Sequence, residues 1–334
     1  MRERAERIIM GWMTDMIIAR DQDRSENGEC PEIVYVPEET TGIEPNGYSG
    51  RSMKYVVLHD RVTLIGMYAF RGCEDLIYLE FPESLKAINM YAFSDCPRLT
   101  AVKLPEKLEK LGRGAFENCA SLVSIRIPSG VSLLESGVFC GCAALEKAEL
   151  CEGLQAIGSE AFRDCAELSS IELPDSLYEL KDSAFGGCAK LEKIVIPPAV
   201  KVIGESCFRE CAGLREAVLP DGLEVIYNSA FSDCARLEKI DLPDDLIEIS
   251  EYAFRNCASL IDPLLPHGLM LIGESAFEGC TRIKKMEIPD SVNEIGDNAF
   301  AGCTGLTEVK ISRNFMNDID RIFGDIDKSI IRFE

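Results

Sequence analysis

Phenylalanine returns every 23 residues in this chain, at 70, 93, 116, 139, 162, 185, 208, 231, 254, 277 and 300, and a cysteine follows each one three residues later, from Cys73 to Cys303. Eleven copies from Thr63 to Phe315 keep this register without an insertion or deletion. A fixed period of this length means a stack of equal coils, in which each unit buries its apolar side only against its neighbours. The 334 residues are also more than a single compact core usually accommodates, about 250–300. An elongated repeat fold removes that limit.

Counting from Thr63 as position 1, position 3 is Ile or Leu, position 7 is usually Ala, position 8 is Phe and position 11 is Cys. Position 14 is Leu except at Ile283, and position 20 is usually Pro. Positions 14 to 19 read apolar-x-x-apolar-x-apolar, as in Leu168, Ile171 and Leu173. The alternation at 17 and 19 has the period of a strand, and the proline after it stops the ladder because it has no N–H to give. Stacked copies then form a parallel sheet with strands ~4.8 Å apart, so eleven copies make a rod roughly 50 Å long. Positions 5 to 11, for example Ser159 to Cys165, lack that alternation and are expected to form a short helical or 3-10 turn on the opposite side.

The two copies that replace Ala at position 7, with Val138 and Cys207, are the two that carry Ala at position 17, Ala148 and Ala217. Core volume tends to be conserved, so positions 7 and 17 are expected to touch across each coil. The cysteines read as rungs of the same interior. Free Cys packs as a small hydrophobe, and stacked rungs ~4.8 Å apart are poorly spaced for disulfides, whose Cβ atoms lie about 3.5–4.5 Å apart. Free thiols are expected. Zinc is not, since rungs 23 residues apart supply no tetrahedral cluster. Cys30, Cys140 and Cys151 fall off the ladder, at positions expected to be exposed.

This pattern resembles the BspA-type leucine-rich repeat family, from Met53 to Phe315, about four fifths of the chain. The copies that carry the resemblance best are Ala161-Phe162, Cys165, Leu168, Ile171 and Leu173-Pro174, and Ile272-Gly273, Ala276-Phe277 and Cys280. The resemblance implies a curved, right-handed solenoid and a role in protein binding, often at a bacterial or protozoan cell surface. The chain differs from the usual pattern in being rich in Glu and Lys rather than Ser and Thr. The expected division is an N-terminal helix and cap region over 1–51, a solenoid over 52–315 that opens with a half repeat at 52–62, and a C-terminal cap over 316–334. Residues 41–51 read as loop, and Ile33 to Val36 as a short strand. In the C-terminal cap Phe323 keeps the Phe spacing and Ile326 replaces Cys, as in a decaying further copy.

Ile8, Ile9, Trp12, Met13, Met16 and Ile17 recur at helical spacing near the N-terminus. That helix is expected to cap the first coil, to make a contact in a homo-oligomer or to bind a partner. Its acidic interruptions at Glu3, Glu6 and Asp15 do not fit a secretory signal. This and the free thiols favour the cytoplasm; the cell surface is the location the resemblance implies. No apolar run is long enough to span a membrane. A net charge of −22 argues against nucleic acid, whose phosphates need clustered Lys and Arg.

Neither a nucleophile motif nor a phosphate-binding glycine loop is present, and the two histidines, His59 and His267, lie nine coils apart. The chain therefore reads as a non-enzymatic scaffold without cofactor, metal or catalytic residues. Its partner is a protein of unspecified identity, and a structural or self-assembling protein is the alternative. The solvent side of the strands, positions 16 and 18, carries mixed charge except at Val195, Val218 and Leu264. Exposed apolar groups on a charged sheet suggest an interface. Lys193, Lys239 and Lys285 would rim it and suit an acidic or carbonyl-rich partner.

Overall fold

The structure is a computed structural model describing residues 33–334. It is a solenoid of parallel strands, and its interior is threaded by a column of thirteen aromatic rings. Tyr48 starts the column, the eleven repeat phenylalanines follow, and Phe323 ends it. Consecutive centroids lie between 5.1 and 5.8 Å apart with the planes nearly parallel. The eleven repeat rings are fully or almost fully buried. Stacking at this separation adds ~0.5–1.5 kcal/mol per pair beyond area burial.

Each coil is joined to its neighbours on three sides. On the first side, positions 16 to 18 form the expected parallel strands. Lys147–Glu149 pairs with Ser124–Arg126 on one side and with Ser170–Ile171 on the other, each shifted by 23 residues. The exposed-buried-exposed pattern of these strands turns positions 16 and 18 to solvent and position 17 inward. The second side carries a ladder that the repeat pattern did not announce. Positions 2 and 3 form two-residue strands, such as Ala156–Ile157 between Leu133–Leu134 and Glu179–Leu180. Position 3 points into the core.

The third side is made by positions 5 to 11. Its turns carry 3-10-type bonds, for example Ala161 N to Gly158 O at 3.2 Å and Cys165 N to Phe162 O at 3.2 Å. These are the short turns expected there, and they do not run on into a continuous helix, because positions 6 and 10 sit in the left-handed region in every repeat, Glu160 at φ 60° and Asp164 at φ 59° in this one. A side chain there costs ~1–2 kcal/mol. The cost is offset by bonds to the next coil, Glu160 N to Asp182 O at 2.9 Å, Phe162 N to Ala184 O at 2.8 Å and Asp164 N to Gly186 O at 2.8 Å. A helix would spend those N–H groups within its own coil.

The ladder cysteines are buried free thiols. From Cys96 onward each Sγ donates to the carbonyl of the phenylalanine in the coil before, as from Cys188 to Phe162 O and from Cys211 to Phe185 O, both at 3.2 Å, and Cys73 donates to Tyr48 O. Ring and thiol thus form one unit that crosses the coil boundary. Val138 and Ala148 are both buried, as are Cys207 and Ala217.

Two parts of the chain differ from the sequence reading. Residues 41–51, expected as loop, supply the first half of a further coil. Gly42–Ile43 pairs with Leu64–Ile65 and the Tyr48 ring stacks on Phe70. This coil is shifted by 22 residues rather than 23 over its first half, with Arg51 where the cysteine would fall. The short strand expected near Ile33 forms over Ile33–Tyr35 and pairs with Tyr55–Val57. The proposed N-terminal helix, the contacts assigned to it and Cys30 lie outside the described residues. At the other end a helix, Ile319–Phe323, replaces the turns and seats Phe323 on the column, while Ile331–Phe333 pairs with Glu308–Ile311. The Arg321 guanidinium fastens this cap, donating to Ile295 O at 2.7 Å and to Asp297 at 2.8 Å. No helix among the described residues is long and apolar enough to cross a membrane.

Candidate functional site

The six residues singled out on the strand face lie along one side of consecutive coils. Val195 and Val218 are register partners in adjacent strands, 52% and 38% exposed. Glu216 lies between Lys193 and Lys239 in the row beside them. The lysines are not bare charges. Lys193 pairs with Glu216 at 2.9 Å, Lys239 with Asp241 at 2.9 Å and Lys285 with Glu308 at 3.3 Å. Exposed pairs of this kind contribute about 0–1 kcal/mol, so an incoming carboxylate or carbonyl can exchange with them at little cost.

Leu264 occupies the same row two coils beyond Val218, where the sheet is interrupted. Pro263 stands at position 17 without an N–H, Asp262 has φ 34°, and residues 261–266 form no strand. The Asp262 carboxylate repairs part of the break. Its Oδ1 accepts from Lys284 N at 2.7 Å and from Lys285 N at 3.1 Å. In the next coil the same two N–H positions, on Thr307 and Glu308, bond to the Lys284 carbonyl. The strand resumes at Lys285–Glu287. Leu264 is left 84% exposed with Ile261 beside it at 46%. Burying a leucine from that state is worth ~1.5–3 kcal/mol, which a partner would gain.

Other candidate chemistry is absorbed by the fold. His59 Nε2 donates to Pro37 O at 2.8 Å, and its Nδ1 accepts from Arg61 N. Among the described residues no group of three His, Cys, Asp or Glu side chains could hold a metal ion. Cys140 is half-buried, and burial, with the carboxylates of Glu117, Glu160 and Asp164, pushes its thiol up to about 11. A reactive cysteine needs the opposite shift. Cys151 is also only partly buried.

The family described as BspA type leucine rich repeat region, six copies long, matches residues 41–166, 133–261 and 224–328. A leucine-rich repeat protein from Bacteroides ovatus is 26% identical, with 93% of this chain and 96% of that one covered and a TM-score of 0.60. A leucine rich cell surface protein from Faecalibacterium prausnitzii is 23% identical, with coverages of 89% and 91% and a TM-score of 0.56. A leucine-rich repeat protein from Eubacterium ventriosum is 18% identical, with 84% of each chain covered and a TM-score of 0.51. No curated protein matches the sequence.

Proposed function

Since the chain belongs to the BspA type leucine rich repeat family, we propose that it is a non-enzymatic scaffold that binds a protein partner on the strand face, centred on Val195, Val218 and Leu264 with Lys193, Lys239 and Lys285 at the rim. The observation that carries this reading is the exposure of Leu264 beside a proline break in a sheet whose outer rows are otherwise mostly charged or polar. A core-forming side chain placed in solvent gains most from a partner that covers it.

The test is affinity capture from source-cell lysate and surface fractions with the full chain and with a Val195→Glu, Val218→Glu, Leu264→Glu variant shown to stay folded. A partner bound by the parent and weakened at least about 30-fold in the variant, roughly the loss of one hot spot, supports the strand face. Equal capture by both chains contradicts it. On location, buried free thiols suit a reducing setting, and the family's surface role is the alternative. Thiols found paired in protein isolated from source cells would favour the surface.

A further inference from the structure

The geometry points to a second binding site, on the position 2–3 ladder at the C-terminal end, that takes an extended lysine- or arginine-rich segment of a partner protein. A groove of about 850 Å³ runs there from Asn228 to the C-terminal cap. Its floor is the position 4 row of Ser250, Gly273 and Gly296. The two glycines cannot be replaced without moving backbone, since a Cβ on Gly273 would lie 2.4 Å from Glu251 N and one on Gly296 would lie 2.2 Å from Glu274 N. These glycines let successive coils close up on one another along the floor. Phe315, Asp318 and Arg321 close one end.

The walls carry the charge. Glu248, Leu271 and Glu294 form one rim, and Glu251, Glu274 and Asp297 the other. With Asp290 and Asp318 the lining holds seven carboxylates against one cation, Arg321, whereas the whole chain has 57 acidic to 35 basic residues. Arg321 is already engaged by Asp297 and Asp318. Glu251, Asp290 and Glu294 have no cationic partner among the described residues. These carboxylates do not converge on a point that would hold a metal ion. Glu251, Glu274 and Asp297 are spaced one coil apart, ~4.8 Å, along one rim, and Glu248 and Glu294 lie two coils apart along the other. An extended chain sends alternate side chains to opposite sides, so one lying along the groove would reach both rims. Four coils, ~19 Å, hold about five or six such residues. Ile247 and Met270, 39% and 48% exposed just outside the Glu248 rim, would cover the aliphatic stems of its lysines.

The probe is fluorescein-labelled hexalysine, titrated against the full chain by anisotropy at physiological salt. A Glu251→Gln, Glu274→Gln, Glu294→Gln variant is compared with a control set of equal charge change, Glu83→Gln, Glu152→Gln, Asp175→Asn. The groove set is expected to weaken one-to-one binding about tenfold or more, and the control set by less than about twofold. The strand-face variant should bind hexalysine as the parent does, which keeps this site separate from the one above. Equal weakening in both charge sets, or binding without a defined stoichiometry, would mean diffuse attraction to an acidic protein and would overturn the proposal. So would a dimer of the parent that the groove set alone dissociates, because the groove would then hold a second copy.

Discussion

Between about pH 8.5 and pH 10 the protein is expected to lose most of its stability while remaining robust at pH 7.5. The nine ladder thiols from Cys119 to Cys303, together with Cys207, are buried, and burial pushes each of them up, to about 12 for Cys211 and Cys303. In the unfolded chain a thiol ionises near pH ~8.5. Above that pH the unfolded chain binds fewer protons than the native one, so stability falls as pH rises. Their contribution is complete below the unfolded value and is lost as pH climbs toward the folded values. Each buried thiol costs ~1.4 kcal/mol per pH unit in that window. Several acting together reach the ~5–15 kcal/mol that separates a folded domain from its unfolded state. Guanidinium midpoints at pH 7.5 and 9.5, with reductant present, measure the drop before most lysines and tyrosines titrate. Cys188→Ala, Cys211→Ala, Cys234→Ala together should flatten the dependence by about 4 kcal/mol per unit, although the cavities they leave lower stability at both pH values. An unchanged dependence in that variant would show that the thiols do not ionise on unfolding as this structure requires.

Removing one ring from the middle of the column should be nearly as damaging. Phe185 is fully buried between Phe162 at 5.4 Å and Phe208 at 5.5 Å, and its carbonyl accepts the Cys211 thiol. Phe185→Ala is expected to cost ~3–5 kcal/mol from the transfer of the ring and the cavity it leaves. Solenoid stability is approximately a sum of coil terms and nearest-neighbour terms. A central loss therefore weakens two interfaces, and the denaturation curve should broaden as the two halves separate. Hydrogen exchange should speed up first over residues 155–223. Phe323→Ala removes a ring with one neighbour in the column, Phe300, and its effect should be smaller and confined to the C-terminal cap. Equal, chain-wide effects of the two substitutions would mean that the column does not divide into neighbour terms.

The period, the position 16–18 strands and the buried Phe and Cys rows were legible because each depends on one residue type at one spacing. Residues 41–51 were not. Their coil is one residue short, with Tyr48 in the Phe place and Arg51 in the Cys place, so the two strongest markers vanish together. The second ladder escaped because a two-residue strand shows no alternation. Short turns over positions 5 to 11 were legible, but their left-handed residues were not, because Glu160, Tyr68 or Ser183 does not advertise a left-handed backbone as glycine does. What holds them there is a bond to the next coil, which no local pattern contains. The strand-face candidates could be named from their row, but the Asp262 carboxylate standing in for a carbonyl across the break could not. The acidic groove is visible only once positions 2, 4 and 5 of successive coils are stacked beside the cap.

The most direct measurement is hydrogen exchange of the full chain, alone and saturated with the captured protein partner. The strand-face account predicts slower exchange over peptides containing 193–195, 216–218, 239–241 and 261–265, with positions 5 to 11 of the same coils unchanged. Protection confined to the turn side, or to the C-terminal groove with the strand face untouched, would contradict it.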